Sequence, residues 1–104
     1  MSDEFYGAAV KSFTEGTVSI ARVAKQYLKE TDRVLIIDDF LAHGEAAMGL
    51  CSLVEQAGGT VCGIAAVVEK EFQGGSAKLR EAGYHVDSLA VITKIENGHI
   101  TFKD

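Results

Sequence analysis

Apolar residues dominate two short stretches of the chain, 34–37 and 61–68, and charged residues follow each stretch directly. A short apolar run bounded by polar positions is typical of a strand that is buried on both faces. We therefore predict one strand at 33–38, which ends in a pair of adjacent acids, and a second strand at 60–68. A third apolar segment, 86–95, predicts a further strand of the same sheet.

Apolar residues recur at helical spacing between the predicted strands. The longer helix is predicted at 45–57 and stops at Gly58-Gly59, and a shorter one is predicted at 76–82 and stops at Gly83. A strand that alternates with helices in this way predicts right-handed parallel units, here a βαβαβ core over 33–95. The expected fold class is α/β, with a mostly parallel sheet flanked by helices.

Two further stretches carry hairpin signals. Asn97-Gly98 is a strong turn signal and predicts a short edge strand at 99–102. Upstream, residues 10–28 suit a β-hairpin that turns at Glu15-Gly16, which would extend the fold beyond its core. The second arm of this hairpin also has apolar residues at helical spacing, so the pattern alone leaves strand and helix open.

Composition and charge restrict the partners. The 104 residues fit one domain, and 47% hydrophobic with 24% charged residues is typical of a globular chain. The net charge of −5, without a cluster of Lys and Arg, argues against nucleic acid as a partner. Neither a membrane-length apolar segment nor a secretory leader pattern is present, so we expect a cytoplasmic protein without a membrane partner.

The cysteines and histidines have no spacing typical of a metal site. Cys51 and Cys62 lie inside apolar patterns, and we expect both to be reduced core thiols. No protein metal centre is predicted.

The stretch after the first strand has the composition of an anion-binding loop. Ala42, Gly44 and Ala46 are small, so backbone N–H groups can approach an anion at the N-terminus of the following helix. Asp38 and Asp39 stand at the strand end, where α/β sheets bind ligands, and can hold sugar hydroxyls or a metal. The pattern indicates a site for a phosphorylated sugar, although a solvated strand end and an ordinary tight turn are open alternatives.

A set of motifs together resembles the type I phosphoribosyltransferases, most fully the bacterial branch that acts on xanthine. In chain order they are Val10-x-Ser12-Phe13-Thr14, Leu35-Ile36-Ile37-Asp38-Asp39-Phe40-Leu41-Ala42-x-Gly44-x-Ala46, Gln56-Ala57-Gly58, Glu69-Lys70-x-Phe72-Gln73 and Ala82-Gly83-Tyr84. The resemblance covers nearly the whole chain from Asp3 and implies that Val18 to Leu28 is the second arm of a hairpin. It reaches only the C-terminal half of the family's enzymes, so we expect 1–104 to be a partial domain that lacks the N-terminal half with its pyrophosphate loop.

The resemblance implies an activity and a site. The reaction would transfer the 5-phosphoribosyl group of phosphoribosyl pyrophosphate (PRPP) to xanthine, giving xanthosine monophosphate and pyrophosphate in purine salvage, with magnesium on the pyrophosphate. The residues it implies are Asp38 and Asp39 as catalytic residues at the ribose hydroxyls, Ala42, His43, Gly44, Glu45 and Ala46 as the loop for the 5-phosphate, and Lys70 and Phe72 at the purine.

Some of these residues also have plainer interpretations. His43 stands where the family pattern has an asparagine, and Glu45 adds a negative charge beside the expected phosphate. Without the resemblance, Lys70 would be a solvated lysine in a charged run, and Phe72 suits a core aromatic as well as a base-stacking one.

The expected loss of a core strand and helix would expose an apolar sheet face or edge, so we expect a homodimer. The alternative function is a non-catalytic domain that senses PRPP or a nucleotide, since a PRPP loop without a pyrophosphate loop can bind without turnover. A piece kept only as a folding unit or subunit interface is a third reading. The sequence has neither a helix-turn-helix segment nor a basic patch for direct control of DNA.

Overall fold

The computed structural model describes the protein over residues 4–12 and 16–103. Its strands and helices, in chain order, are β1 (Phe5–Ser12), β2 (Thr17–Ala24), β3 (Arg33–Leu41), α1 (Glu45–Gln56), β4 (Thr60–Lys70), α2 (Gly75–Glu81), β5 (Val86–Glu96) and β6 (His99–Phe102). Short 3₁₀ turns lie at Lys25–Tyr27 and Glu71–Gln73.

Strands β3 to β6 form one sheet in the order β3-β4-β5-β6. The pairs β3–β4 and β4–β5 are parallel and are connected through α1 and α2, whereas β6 returns antiparallel to β5. The predicted α/β class with a mostly parallel sheet is therefore confirmed. Because the parallel strands share one direction, the loops after β3 and β4 meet at the same carboxyl edge of the sheet.

The core lies between the sheet and the two helices. Ile36, Ile64 and Val86 stand in register across β3, β4 and β5 and are buried. They pack with residues of both helices, among them Cys51 of α1 and Leu79 of α2. On β3, the residues on either side of Ile36 are largely exposed, as the alternation of a strand requires. The helix-facing side of the sheet is thus the buried one.

Strands β1 and β2 form a separate antiparallel hairpin that packs on α1. The segment that the sequence left open between strand and helix is a strand as far as Ala24, and the hairpin begins at Phe5 rather than at residue 10. An added Cβ on Gly49 of α1 would lie 2.7 Å from Cγ2 of Val10, so the glycine makes room for β1. The Gln56 amide also donates to the Gly7 carbonyl at 2.7 Å. Phe13, Thr14 and Glu15 of the predicted motif and turn lie outside the described residues.

Two boundaries at the carboxyl edge differ from the prediction. Strand β3 continues three residues past Asp38 and ends at Leu41, which is 1% exposed and pairs with Glu69. Strand β4 continues to Lys70. The acids do not end β3, because the backbone pairing continues until Leu41 has buried its side chain. Asp38 and Asp39 therefore lie within the last part of the strand, not at its terminus.

Two other expectations can be compared with the structure. Cys51 is buried, but Cys62 is exposed, so only the first is a core thiol; neither is in a disulfide. Within residues 4–12 and 16–103, no helix has the length and apolar character needed to cross a membrane.

Candidate active site

The loop between β3 and α1 ends in a left-handed backbone conformation that only glycine adopts easily. Gly44 has a φ of 82° and is the N-cap of α1, and its carbonyl accepts the N–H of Met48 at 2.8 Å. No side chain caps this helix, so the amides of its first turn are not used by a capping oxygen. Free first-turn amides and the positive end of the helix dipole together favour an anion.

This loop is packed directly against the start of α2. The N–H of Gly75 donates to the Ala42 carbonyl at 2.9 Å. A Cβ on Gly75 would lie 2.4 Å from that carbonyl oxygen and 2.7 Å from the Gly44 nitrogen. Such distances exclude any side chain at residue 75, so the loop after β3 is in contact with the backbone of the loop after β4.

Asp38 and Asp39 are the charged residues that most closely precede this loop in the chain. Asp38 is half-buried, and Asp39 is exposed. Burial raises the pKa of Asp38, and its hydrogen bond with the Asp39 carboxyl raises it further, whereas the backbone N–H of Phe40 acts in the opposite direction. The pair thus concentrates negative charge at the carboxyl edge, beside an anion-binding helix terminus.

Lys70, the last residue of β4, points toward the acid-bearing strand. Its Nζ lies 5.1 Å from the ring centroid of Phe40, the residue that follows Asp39. This cation–π contact holds the ammonium group over the ring of the residue that follows the acid pair. Phe40 itself is 45% exposed and was not singled out from the sequence, where it read as one more apolar residue of the strand. Phe72 lies in the following 3₁₀ turn and is 50% exposed, so it is not a core aromatic.

The charge of Glu45 is compensated from the neighbouring helix. Its Oε1 accepts a hydrogen bond from Nζ of Lys78 in α2, with 3.2 Å between the two atoms. The sequence pattern could not pair two residues so far apart in the chain. His43 is partly buried in the loop, and Ala46 is exposed on the first turn of α1. The carboxylate of Glu45, which lies among the residues expected at a phosphate, is therefore partly neutralised by Lys78.

A buried acid next to Lys70 was also missed from the sequence. Glu69 is 1% exposed and accepts hydrogen bonds from the hydroxyls of Ser76 and Ser88, the latter at 2.7 Å. As one of three charged residues after an apolar run, it was grouped with a solvated strand end. No periodicity signals its two serine partners.

Comparison with known proteins finds relatives that match nearly the whole chain. No family model matches it. It is 52% identical to a xanthine phosphoribosyltransferase of Bacillus cereus over 102 residues, which is 98% of this chain and 52% of that protein. Its identity to the xanthine phosphoribosyltransferase of Bacillus cytotoxicus is 53% over the same share of each chain. The chain thus spans about half the length of the curated relatives it matches.

Solved structures agree with these relatives. The adenine phosphoribosyltransferase of Thermoanaerobacter pseudethanolicus superposes with a TM-score of 0.73 at 31% identity, over 88% of this chain and 50% of that one. That of Rhodothermus marinus superposes with a TM-score of 0.74 at 29% identity, over 88% and 51%. Over nearly its whole length, the chain is thus similar to phosphoribosyltransferases.

The chain brings the residues singled out from its sequence to one edge of the sheet, in two neighbouring groups. The acids and the loop 42–46 follow one another on β3 and α1, and Lys70 joins them through Phe40. Phe72 lies in the 3₁₀ turn that directly follows Lys70. Among the described residues, no three His, Cys, Asp or Glu side chains are grouped so that they could hold a metal ion.

Proposed function

We propose that this chain carries the PRPP site of a xanthine phosphoribosyltransferase, which converts PRPP and xanthine to xanthosine monophosphate and pyrophosphate. The observation that carries the proposal is the meeting of an uncapped helix N-terminus, an acid pair and a lysine at one carboxyl edge. The identity of 52% to proteins named for this reaction supports the choice of substrate. The chain would act in the cytoplasm as a homodimer, without nucleic acid or membrane as a partner.

In this proposal the loop 42–46 holds the 5-phosphate of PRPP. The first-turn amides of α1 supply N–H donors, and the glycine at residue 44 lets the backbone curve around the phosphate oxygens. Lys78 offsets the charge of Glu45, which would otherwise repel the phosphate. The side chain of His43 is not needed for this cradle, because the donors are backbone groups.

Asp38 and Asp39 would lie at the ribose. Departure of pyrophosphate leaves positive charge on the ring oxygen and anomeric carbon, and a fixed negative pair lowers the energy of that charge. The carboxylates also accept hydrogen bonds from the ribose hydroxyls and so orient the sugar. Burial raises the pKa of Asp38, which makes its carboxylate a more basic hydrogen-bond and proton acceptor than an ordinary aspartate.

Lys70 would recognise the base. An ammonium group donates only, so it suits a purine with a carbonyl oxygen and opposes one that presents an amino group at the same position. The lysine therefore favours a 6-oxopurine such as xanthine over adenine. Phe72 offers an exposed ring for stacking on the base, at a position close to Lys70 in the chain.

Magnesium fits the residues present. It is bound in phosphate-transfer sites through one or two carboxylates together with substrate phosphates, and the acid pair can supply those carboxylates. Asp38 and Asp39 are the residues that would hold it with the pyrophosphate, and its chemistry is to neutralise the charge that develops on the leaving diphosphate.

The test is a calorimetric titration of the chain with PRPP and magnesium, repeated on Asp38→Asn/Asp39→Asn. Asp87→Asn is the matched control, because Asp87 is an exposed acid at the start of β5, on the opposite edge of the sheet. We expect binding by the wild type and the control and no binding by the double variant. Xanthine is then added, and xanthosine monophosphate is measured. Binding without product would instead support a PRPP- or nucleotide-sensing domain, and no binding by a folded chain would reject the site.

A further inference from the structure

Glu69 is a buried carboxylate for which the proposed reaction has no use. It is 1% exposed and stands on β4, in register with Leu41 of β3, an apolar residue that is equally buried. Burying a carboxylate is costly unless hydrogen bonds replace its hydration. A leucine at this position would fill the space without that cost, so packing alone does not account for an acid here.

The carboxylate connects three elements. Its Oε1 accepts the hydroxyl of Ser88 on β5 at 2.7 Å, and its Oε2 accepts the hydroxyl of Ser76 on α2. Ser76 is itself 2% exposed. Both serines thus donate their hydroxyl hydrogen to the same buried carboxylate. Ser88 does so from the sheet and Ser76 from the first turn of α2.

Through Ser76, the Glu69 carboxylate is connected to the loop after β3. Ser76 follows Gly75, whose N–H donates to the Ala42 carbonyl at 2.9 Å. The Cα of Gly75 also lies 3.2 Å from where a Cβ on Gly44 would stand. The position of Ser76 therefore sets the position of residue 75, and residue 75 supports the backbone of 42–44. Ser88, by contrast, connects the carboxylate to β5 and not to this loop.

We infer that Glu69 is a positioning residue for the phosphate loop: through Ser76 it fixes the start of α2 against residues 42–44. The loop's shape depends on this contact whether or not a ligand binds. The ligand served, a sugar 5-phosphate, rests on the proposed function.

The two serines give a matched pair of variants. Ser76→Ala and Ser88→Ala each remove one hydroxyl donor from the same carboxylate, so a general loss of stability affects both. Only Ser76→Ala removes the hydrogen bond that connects Glu69 to the start of α2 and the loop. The first readout is amide hydrogen exchange in the ligand-free chain, with the Ile64 amide, bonded to the His85 carbonyl in the core, as internal reference.

We expect exchange at the Gly75 amide to rise about tenfold or more over the reference in Ser76→Ala, and to follow the reference in Ser88→Ala. The second readout is titration with ribose 5-phosphate, where we expect the dissociation constant to rise about tenfold in Ser76→Ala and less than about threefold in Ser88→Ala. Glu69→Leu removes both acceptor oxygens at similar volume, so exchange at the Gly75 amide should rise over the reference as it does in Ser76→Ala.

The outcomes separate the two proposals. Equal exchange at Gly75 in the two serine variants, or none above the reference, would overturn the positioning role and assign Glu69 to general stability. Selective exchange in Ser76→Ala with no binding of ribose 5-phosphate by the wild type would support the positioning role and reject the proposed function. Selective exchange with equal binding losses would also overturn the role, because the loop would then move without consequence for its ligand.

Discussion

The ammonium group of Lys70 lies over the ring of Phe40, with 5.1 Å between Nζ and the ring centroid. The contact joins the end of β4 to the strand that bears the acid pair. Lys70→Ala should weaken xanthine binding about tenfold or more, because a charge-assisted hydrogen bond to the base is lost, and should leave ribose 5-phosphate binding unchanged. Titration calorimetry with each ligand measures both effects.

Lys29→Ala is the control for this prediction, since Lys29 precedes β3 at the opposite edge of the sheet. Phe40→Leu should give a smaller loss of xanthine affinity, about 0.5–1 kcal/mol, because it removes the cation–π contact and leaves the ammonium group. An unchanged xanthine affinity in Lys70→Ala would contradict the assignment of this lysine to the base.

The contact between the two loops predicts a sharp difference between adjacent glycines. Gly75→Ala places a methyl group 2.4 Å from the Ala42 carbonyl oxygen and should lower the free energy of unfolding by about 3 kcal/mol. Gly74→Ala meets nothing within 4 Å and keeps only the strain of a φ of 83°, which costs about 1 kcal/mol. Denaturant unfolding of the two variants checks the order. An equal decrease in the free energy of unfolding in both variants would show that the loop moves away from a methyl group at residue 75 at little cost.

The pH dependence of stability should report on Asp38. Because its folded pKa is raised, the stability from this group is complete below the pKa of the unfolded chain and is lost as the pH rises through the folded pKa. At neutral pH the charged carboxylate therefore destabilises the fold. Asp38→Asn should raise the free energy of unfolding at pH 7, and the gain should vanish below about pH 4.

Unfolding of Asp38→Asn and Asp87→Asn across pH separates a local effect from the net charge. Both variants remove one negative charge from a chain of net charge −5. A gain confined to Asp38→Asn supports the local cause, and the same gain in Asp87→Asn would assign it to overall repulsion. The stabilised Asp38 variant should bind PRPP more weakly, since Asp38 is one of the two acids proposed at the ribose.

The docking of the hairpin on α1 can be tested by a double substitution. Gly49→Ala brings a methyl group within 2.7 Å of Cγ2 of Val10 and should destabilise the protein by about 1–2 kcal/mol. In a Val10→Ala background the methyl group has room, and the higher helix propensity of alanine should make the same change stabilising by about 0.5–1 kcal/mol. A thermal unfolding cycle of the four proteins measures the coupling, and additive effects would place the hairpin off the helix.

The sequence identified elements whose signal is local. The apolar runs of β3 and β4 and the stop of α1 at Gly58 are set by neighbours in the chain, as is the turn at Asn97-Gly98, where φ is 51° and 78°. Local pattern also explains the error in the end of β3. Charged residues usually mark where a buried strand ends, but here Leu41 buries its side chain beyond them.

The features that the sequence did not reveal depend on distant partners. Glu69 is buried because two serines on other elements reach it, and Glu45 is neutralised by a lysine of α2. Neither pairing leaves a periodic trace. Phe40 was passed over for a related reason, since its contact with Lys70 exists only once β3 and β4 are side by side.

The backbone contact between residues 42 and 75 also sets an order of events during synthesis. A ribosome makes the loop after β3 first and the start of α2 much later, with all of α1 and β4 between them. A nascent chain released from the exit tunnel only as far as β4 has the full sequence of the loop but lacks the support that shapes it. The proposed ability to hold a phosphate would then arise late in translation, when the start of α2 contacts the loop.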